Sequence, residues 1–415
     1  MKIGVFASGF FLFMILLTSF VETHKWGFFG HRRINRLAVF TLSPDMMPLY
    51  KNSIEFLTEH AVDADKRRYA VKDEAPRHFI DLDRWHKNGV PACPRSYDEA
   101  LAIYSDFVLL DDPYSRPLLG RRSIELIGKD KFLVPDDVKK PDTSLLIKLN
   151  KFRWLISSSL IPAARKEEKV VISGKTINET FNKHIAQENQ SYEWLDTFSL
   201  HGILPFHLPE QYRKLVQAFS TKDRKSILRH SADIGHYLGD AHVPLHTTSN
   251  YNGQMTNQLG LHAFWESRIP ELFADDEYDY IVGKAEYIKD VPNYIWDVVL
   301  KSHSYVDSVL LIEKRLSRSF PSDQQYCFDE RLGTTVRTQC TAYAKAYQQA
   351  MKGMVESRMR DAILSVGSVW YSAWIDAGQP NLTMLSRSSE SISDSEDILL
   401  DKAFKGGNII GRPEN

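Results

Sequence analysis

Apolar positions recur three and four residues apart along most of this chain, the spacing of helices with one buried face. After an almost purely apolar run from Ile3 to Val21, a helical pattern starts near His31 and takes in Ile34, Leu37 and Ala38. Pro44 and Pro48 bound the next connection, and Ile54, Leu57, Ala61 and Val62 resume the helical spacing. Between about 88 and 200 the pattern loosens, with Pro and Gly breaks at 89–94, 113–120 and 135–141. Helical patches are expected there over 98–109 and 145–160, and 170–177 reads as a hairpin about a Ser-Gly turn. From Gln211 the helical pattern returns and runs on through 275–320. One long helix is expected over 341–376, with Tyr343, Tyr347, Met351, Met354, Trp370 and Trp374 near one face as a core stripe. The stretch 386–415 is rich in Ser, Asp and Gly and is expected to be loosely ordered. The pattern predicts an all-α, mainly helical body over 26–380, with 88–200 as an insertion and 381–415 as a polar tail. No linker composition sets the insertion apart as a domain of its own.

At 415 residues the chain can bury a sizeable core. Its 52 basic and 53 acidic residues balance, so any affinity for nucleic acid must come from a local site rather than from overall charge. Three cysteines, Cys93, Cys327 and Cys340, exclude a cysteine-built zinc site, and the last two are able to pair in an oxidising compartment. Lys2 followed by the apolar run resembles a secretory signal over residues 1–25, which predicts a secreted or periplasmic protein. An uncleaved anchor touching the membrane through 3–21 is the alternative. Asn178, Asn189 and Asn381 open glycosylation sequons. There is no Gly-rich phosphate loop and no Gly-x-Ser-x-Gly elbow.

The chemistry concentrates elsewhere. Of 14 histidines, three fall with Asp240 between His236 and His246, in His-Tyr-Leu-Gly-Asp-Ala-His-Val-Pro-Leu-His. His262-Ala-Phe-Trp-Glu266 follows. Positions i and i+4 share a helix face, so His236 lies beside Asp240 and His262 beside Glu266. Imidazole and carboxylate at that spacing suit a divalent cation, zinc above all. Earlier in the chain stand His31 in Trp-Gly-Phe-Phe-Gly-His, Asp63 and Asp65 before Arg68, and His78 in His-Phe-Ile-Asp. With no thiolate and several carboxylates, the set is that of a catalytic site with open positions, and clustered cations suit phosphoester hydrolysis.

Together these motifs resemble the zinc-dependent phospholipase C and single-strand nuclease superfamily, which includes the fungal nucleases called S-one and P-one. Order and spacing agree across the stretch from Trp26 to Glu266. The resemblance implies a mainly α-helical fold and three zinc ions. One would take Asp63 or Asp65 with His78 and His236. A second would take His31, Asp240 and the backbone amine of Trp26, with Asp240 bridging to the first. The third would take His246, His262 and Glu266. It further implies that Arg68 neutralises charge on the phosphorus, and that Phe79 and Asp81 stack on and hydrogen-bond a base. The long insertion between His78 and His236 is expected to reshape the substrate cleft.

Three functions follow as expectations. The first is an exported phosphodiesterase on single-stranded nucleic acid or nucleotides, supported by His78-Phe79-Ile-Asp81. The second is a phospholipase C type hydrolase of phospholipid headgroups, supported by Glu266 in place of an aspartate. The third is a zinc-binding protein without turnover, against which the carboxylate-rich ligand set argues.

Overall fold

The structure, a computed structural model, describes residues 28–87, 90–114, 116–136, 146–166, 169–331, 334–386 and 395–412. The apolar run at 3–21 and Trp26 lie outside them. Among the described residues, no helix is long and apolar enough to cross a membrane.

The main helices are α1 (Phe28–Ala38), α2 (Leu204–Thr221), α3 (Arg224–Ala241), α4 (Val291–His303), α5 (Val306–Ser319), α6 (Thr341–Ala350), α7 (Met354–Asp376) and α8 (Ser395–Gly406). The helix α3 lies at their centre. Asp223 caps its start, its carboxylate accepting from the Ser226 amide at 3.2 Å. From Ile234 to Ala241 every residue is buried, as expected of a helix surrounded by others. Two glycines admit α1 to this surface. A Cβ on Gly235 would fall 1.8 Å from Asn35 Oδ1, and one on Gly239 would fall 2.8 Å from His31 Nδ1. His31 and Asn35 are one turn apart on the same face, so their side chains occupy the notches the glycines leave. Asn35 then donates to the carbonyls of Leu57, at 3.2 Å, and Ala232, at 3.1 Å. On another side Trp370 of α7 donates to Ser231 O at 3.0 Å.

The insertion is not helical throughout, so the expected all-α body is instead mainly helical with small antiparallel sheets. One sheet runs in the order Ser105–Leu109, Ser191–Asp196, Val170–Ser173, with Trp194 opposite both Phe107 and Val170. A second joins Arg122–Ile127, Asp130–Pro135 and Ile147–Lys148. Phe107, Phe152, Phe181 and Trp194 share one buried apolar cluster with Ile34, Leu228 and Trp370 of the helical body.

Several local expectations change. The patch at 98–109 is a helix, Tyr97–Tyr104, running into the strand Ser105–Leu109. The stretch 170–177 is not a hairpin: Ser173 ends the strand and caps the helix Gly174–Phe181, accepting from the Thr176 amide at 3.2 Å. Asn178 in that helix is buried, and its Oδ1 accepts from the amides of Ile185 and Ala186, both at 2.9 Å. The Asn178 side chain is thus engaged within the fold, whereas Asn189 and Asn381 are exposed. The long helix over 341–376 is two, broken where Lys352 and Gly353 take left-handed backbone at φ 52° and 79°. Cys327 and Cys340 form a disulfide beside the hairpin Tyr326–Arg331/Thr334–Gln339, and Cys93 is a buried free thiol. The polar tail also departs from expectation. Its α8 packs Phe404 against Phe28 and Tyr69, with ring centroids 5.6 and 5.2 Å apart.

Candidate metal centre

Each predicted donor among the described residues can be followed to its place. His31 comes from α1, His236 and Asp240 from α3, and Asp65 from the short helix Asp63–Arg67. His78 ends one 3-10 turn, Ala75–His78, and His246 lies within another, Pro244–Thr247. His262 and Glu266 straddle the junction of a short α-helical segment with a π turn, Phe264–Arg268. π turns are common at functional sites because they re-aim a side chain within a helix.

These side chains converge into three groups whose donor atoms lie within 4.8 Å of one another: Asp65, His78 and His236; His31, His236 and Asp240; and His246, His262 and Glu266. In the first, His236 Nε2 is 3.1 Å from His78 Nδ1 and 3.6 Å from Asp65 Oδ1. In the third, His262 Nε2 is 3.1 Å from His246 Nε2 and 2.6 Å from Glu266 Oε2. Donors sharing a tetrahedral zinc at its usual bond lengths sit about 3.3 Å apart, and most of these separations are close to that. Two carboxylates join the groups. Asp240 turns Oδ2 toward His78, at 2.9 Å, and His236, at 3.3 Å, while Oδ1 faces His31 at 3.3 Å. Glu266 likewise turns Oε1 to His31, at 3.4 Å, and Oε2 to His246, at 3.2 Å.

Backbone contacts set the imidazole tautomers. His236 Nδ1 donates to Ala61 O at 2.8 Å, and His246 Nδ1 donates to His78 O at 2.7 Å. Each ring therefore presents its Nε2 lone pair to the centre, as a ligating histidine does. Behind His78 lies Glu74, fully buried, with Oε1 3.7 Å from His78 Nε2. Glu74 is itself held by Arg67, Arg77 and the Tyr237 hydroxyl.

Electrostatics shows what the donor set lacks. Burial opposes charge on Asp240, Glu266, His31 and His78, yet the interactions inside the cluster prevail. Asp240 is held well below the usual carboxylate range, against burial, by the charges of His236 and His246. Glu266 is lowered in the same way, chiefly by His246. His31 is raised well above the ordinary imidazole value, against burial, by hydrogen bonds to Asp240 and Glu266. His78 is raised to about 9, against burial, by Asp240 and Glu74. Without a cation the buried carboxylates must be balanced by protons on imidazoles. Divalent cations supply that charge and free the imidazoles to act as ligands. The residues fit such ions.

The choice between Asp63 and Asp65 resolves in space. Asp65 joins His78 and His236, whereas Asp63 points the other way. It hydrogen-bonds His60 Nδ1 at 2.5 Å, with Lys66 Nζ at 3.4 Å. Asp63 does form a fourth donor group with His60 and Asp397. There, however, Lys66 faces Asp63, and Arg229 grips Asp397 by both oxygens at 2.9 Å, so the negative charge is already answered. His236, expected in one group, contributes to two, and its ring stacks on His31 with centroids 3.9 Å apart. Trp26, the remaining expected ligand, lies outside the described residues.

Arg68 is buried with Nη1 3.9 Å from Asp65 Oδ1, at the edge of the cluster. Phe79 and Asp81 are also buried. Two residues were missed in the sequence. Glu74 stands four before His78, the same spacing as His236/Asp240 and His262/Glu266, and that repetition was the available signal. Tyr251 has its ring centroid 3.5 Å from the Arg412 guanidinium carbon, which also sits 4.0 Å from that of Phe79. It belongs to the loop 247–261, where the sequence also expects substrate to be decided, but had no spacing to single it out. No protein-family model and no curated protein matches the chain.

Proposed function

We propose that this chain is a zinc-dependent hydrolase of phosphodiesters, acting on single-stranded nucleic acid or nucleotides. The observation that carries the reading is the junction of three donor groups through Asp240 and Glu266. A structural zinc site closes its ligand sphere with four protein donors, whereas three donors per group leave room for water and substrate. Bound there, zinc supplies a water of near-neutral pKa and Lewis-acid polarisation of phosphoryl oxygens. The protein's own part is positional. Asp65, His78 and His236 would hold one ion, His31 and Asp240 a second, and His246, His262 and Glu266 a third. Asp240 keeps the first two groups adjacent, and Arg68 would place a fixed positive charge where phosphoryl oxygens gain negative charge.

The neighbouring slot favours a base over a lipid headgroup. Phe79 and Tyr251 hold a planar guanidinium between them, with its carbon 4.0 and 3.5 Å from the two ring centroids. Such a gap accepts one flat group at stacking distance. A tetrahedral quaternary ammonium is thicker than that gap. Asp81 and the Thr248 carbonyl line its edge as acceptors, complementary to the amino or imino donors of a base. The test is to incubate the zinc-loaded protein with single-stranded DNA and, separately, with phosphatidylcholine vesicles. Nucleotide release with intact lipid is expected. Headgroup release with intact DNA would select the phospholipase alternative, and no turnover of either would leave a zinc-binding protein without catalysis.

A further inference from the structure

The guanidinium in that slot belongs to the chain's own Arg412. Its Nη1 lies 2.6 Å from Asp81 Oδ1, and its Nη2 donates to Thr248 O at 3.1 Å. The Arg412 carbonyl accepts from Arg68 Nη2, and the Ile410 amide donates to Arg68 O at 2.8 Å. The segment therefore meets both features expected to contact substrate: the aromatic slot with a flat group bearing donors, and Arg68 with an oxygen acceptor. Gly411 between them is fitted to its place, because at φ 97° a Cβ would come within 2.8 Å of Ala75 Cβ. The helix α8 delivers the segment. Asp397 pairs with Arg229, Asp401 with Lys66 at 2.9 Å, and Phe404 sits on Phe28 and Tyr69.

We infer that residues 407–412 are an intramolecular competitor of the substrate, docked in the slot formed by Phe79, Tyr251 and Asp81 and delivered there by α8. The contacts are several and mutually supporting. A guanidinium between two aromatic faces gains from both when it is withdrawn from water, and the paired carboxylate adds a charge-assisted hydrogen bond. Tethering through α8 makes the docking intramolecular, so a modest contact is enough to keep the slot filled. A substrate base must displace Arg412, and a phosphate must displace its carbonyl from Arg68. The chain as it stands is thus expected to be restrained until the segment is released.

This inference rests on the hydrolase reading for its consequence but not for its geometry, and the two are separable by experiment. The probe is the fluorescently labelled peptide acetyl-Asn-Ile-Ile-Gly-Arg-amide, which reproduces 408–412. Its binding is measured on the full chain and on the full chain carrying Arg412→Ala, both zinc-loaded. Binding at least tenfold tighter to Arg412→Ala is expected, and Phe79→Ala added to that variant should abolish it. Equal binding to both proteins would overturn the inference. Hydrolysis of single-stranded DNA is then followed on the same pair. A rate at least tenfold higher for Arg412→Ala, restored to the native level by excess peptide, supports competition, and equal non-zero rates overturn it. Absence of hydrolysis in both proteins, with the peptide discriminating as expected, supports the docking and counts against the hydrolase reading alone.

Discussion

Asp240 and Asp63 illustrate how one residue type takes opposite roles within a single cluster of charges. Asp240 has imidazoles facing both of its oxygens and, among the described residues, no lysine or arginine ion pair, whereas Asp63 has His60 and Lys66 as ion-pair partners. Asp240→Asn should remove the shared donor of two groups, lowering zinc content and reducing hydrolysis by about 10³-fold or more. Asp63→Asn should leave zinc content and the rate unchanged, as metal analysis beside an activity assay would show. Glu74→Gln should weaken zinc binding by about 10- to 100-fold through the orientation of His78, without removing a ligand. Protons report the same balance. Without a cation His78 titrates at about 9, so it is charged at neutral pH, and an incoming zinc must expel its proton. Calorimetric zinc titrations in buffers of different ionisation enthalpy should therefore show net proton release at pH 7, with the share from His78 falling away as pH rises past about 9. Which carboxylate stands with His78 and His236 was left open by the sequence. Asp63 and Asp65 are two apart on one short helix, so they point in nearly opposite directions. Only the packing against α3 decides which of them faces His78.

At the scale of elements, the centre depends on how closely α1 approaches α3. His236 with Asp240 and His262 with Glu266 were legible because each pair lies within one helical turn. Their convergence with His31 was implied only by the resemblance and not by spacing, since it depends on the notches at Gly235 and Gly239. Gly239→Ala would put a methyl group 2.8 Å from His31 Nδ1, so the ring or the helix must shift. The variant should stay folded, because only one side chain is directly opposed. It should lose one zinc equivalent before the others in a graded chelator titration; loss of all zinc in one step would mean that the groups are not separable. The insertion was the least legible region. Its strands are short and partly exposed, so neither the helical nor the alternating pattern persists long enough to set their boundaries.

For the whole molecule, the sequence pattern anticipated a mainly helical body, and most of its departures come from contacts between residues distant in the chain. The small sheets and the segment 395–412 depend on such contacts, whereas the helix break at Lys352–Gly353 is local, a glycine turn closed by Lys352 N–H to Gln349 O at 3.1 Å. The tail shows this most plainly: Ser and Asp crowd 386–397, the few apolar residues Ile398, Leu399, Leu400 and Phe404 make too short a run to signal order, and α8 is positioned by Arg229, Lys66, Phe28 and Tyr69. Central to the proposed function are three cations held by the His/Asp/Glu cluster and joined by shared carboxylates. Anomalous diffraction at the zinc edge, from crystals of the zinc-loaded protein, tests this most directly. The expected result is three peaks: one among Asp65, His78 and His236, one beside His31 and Asp240, and one among His246, His262 and Glu266. A single peak, or zinc bound only at His60, Asp63 and Asp397, would contradict it.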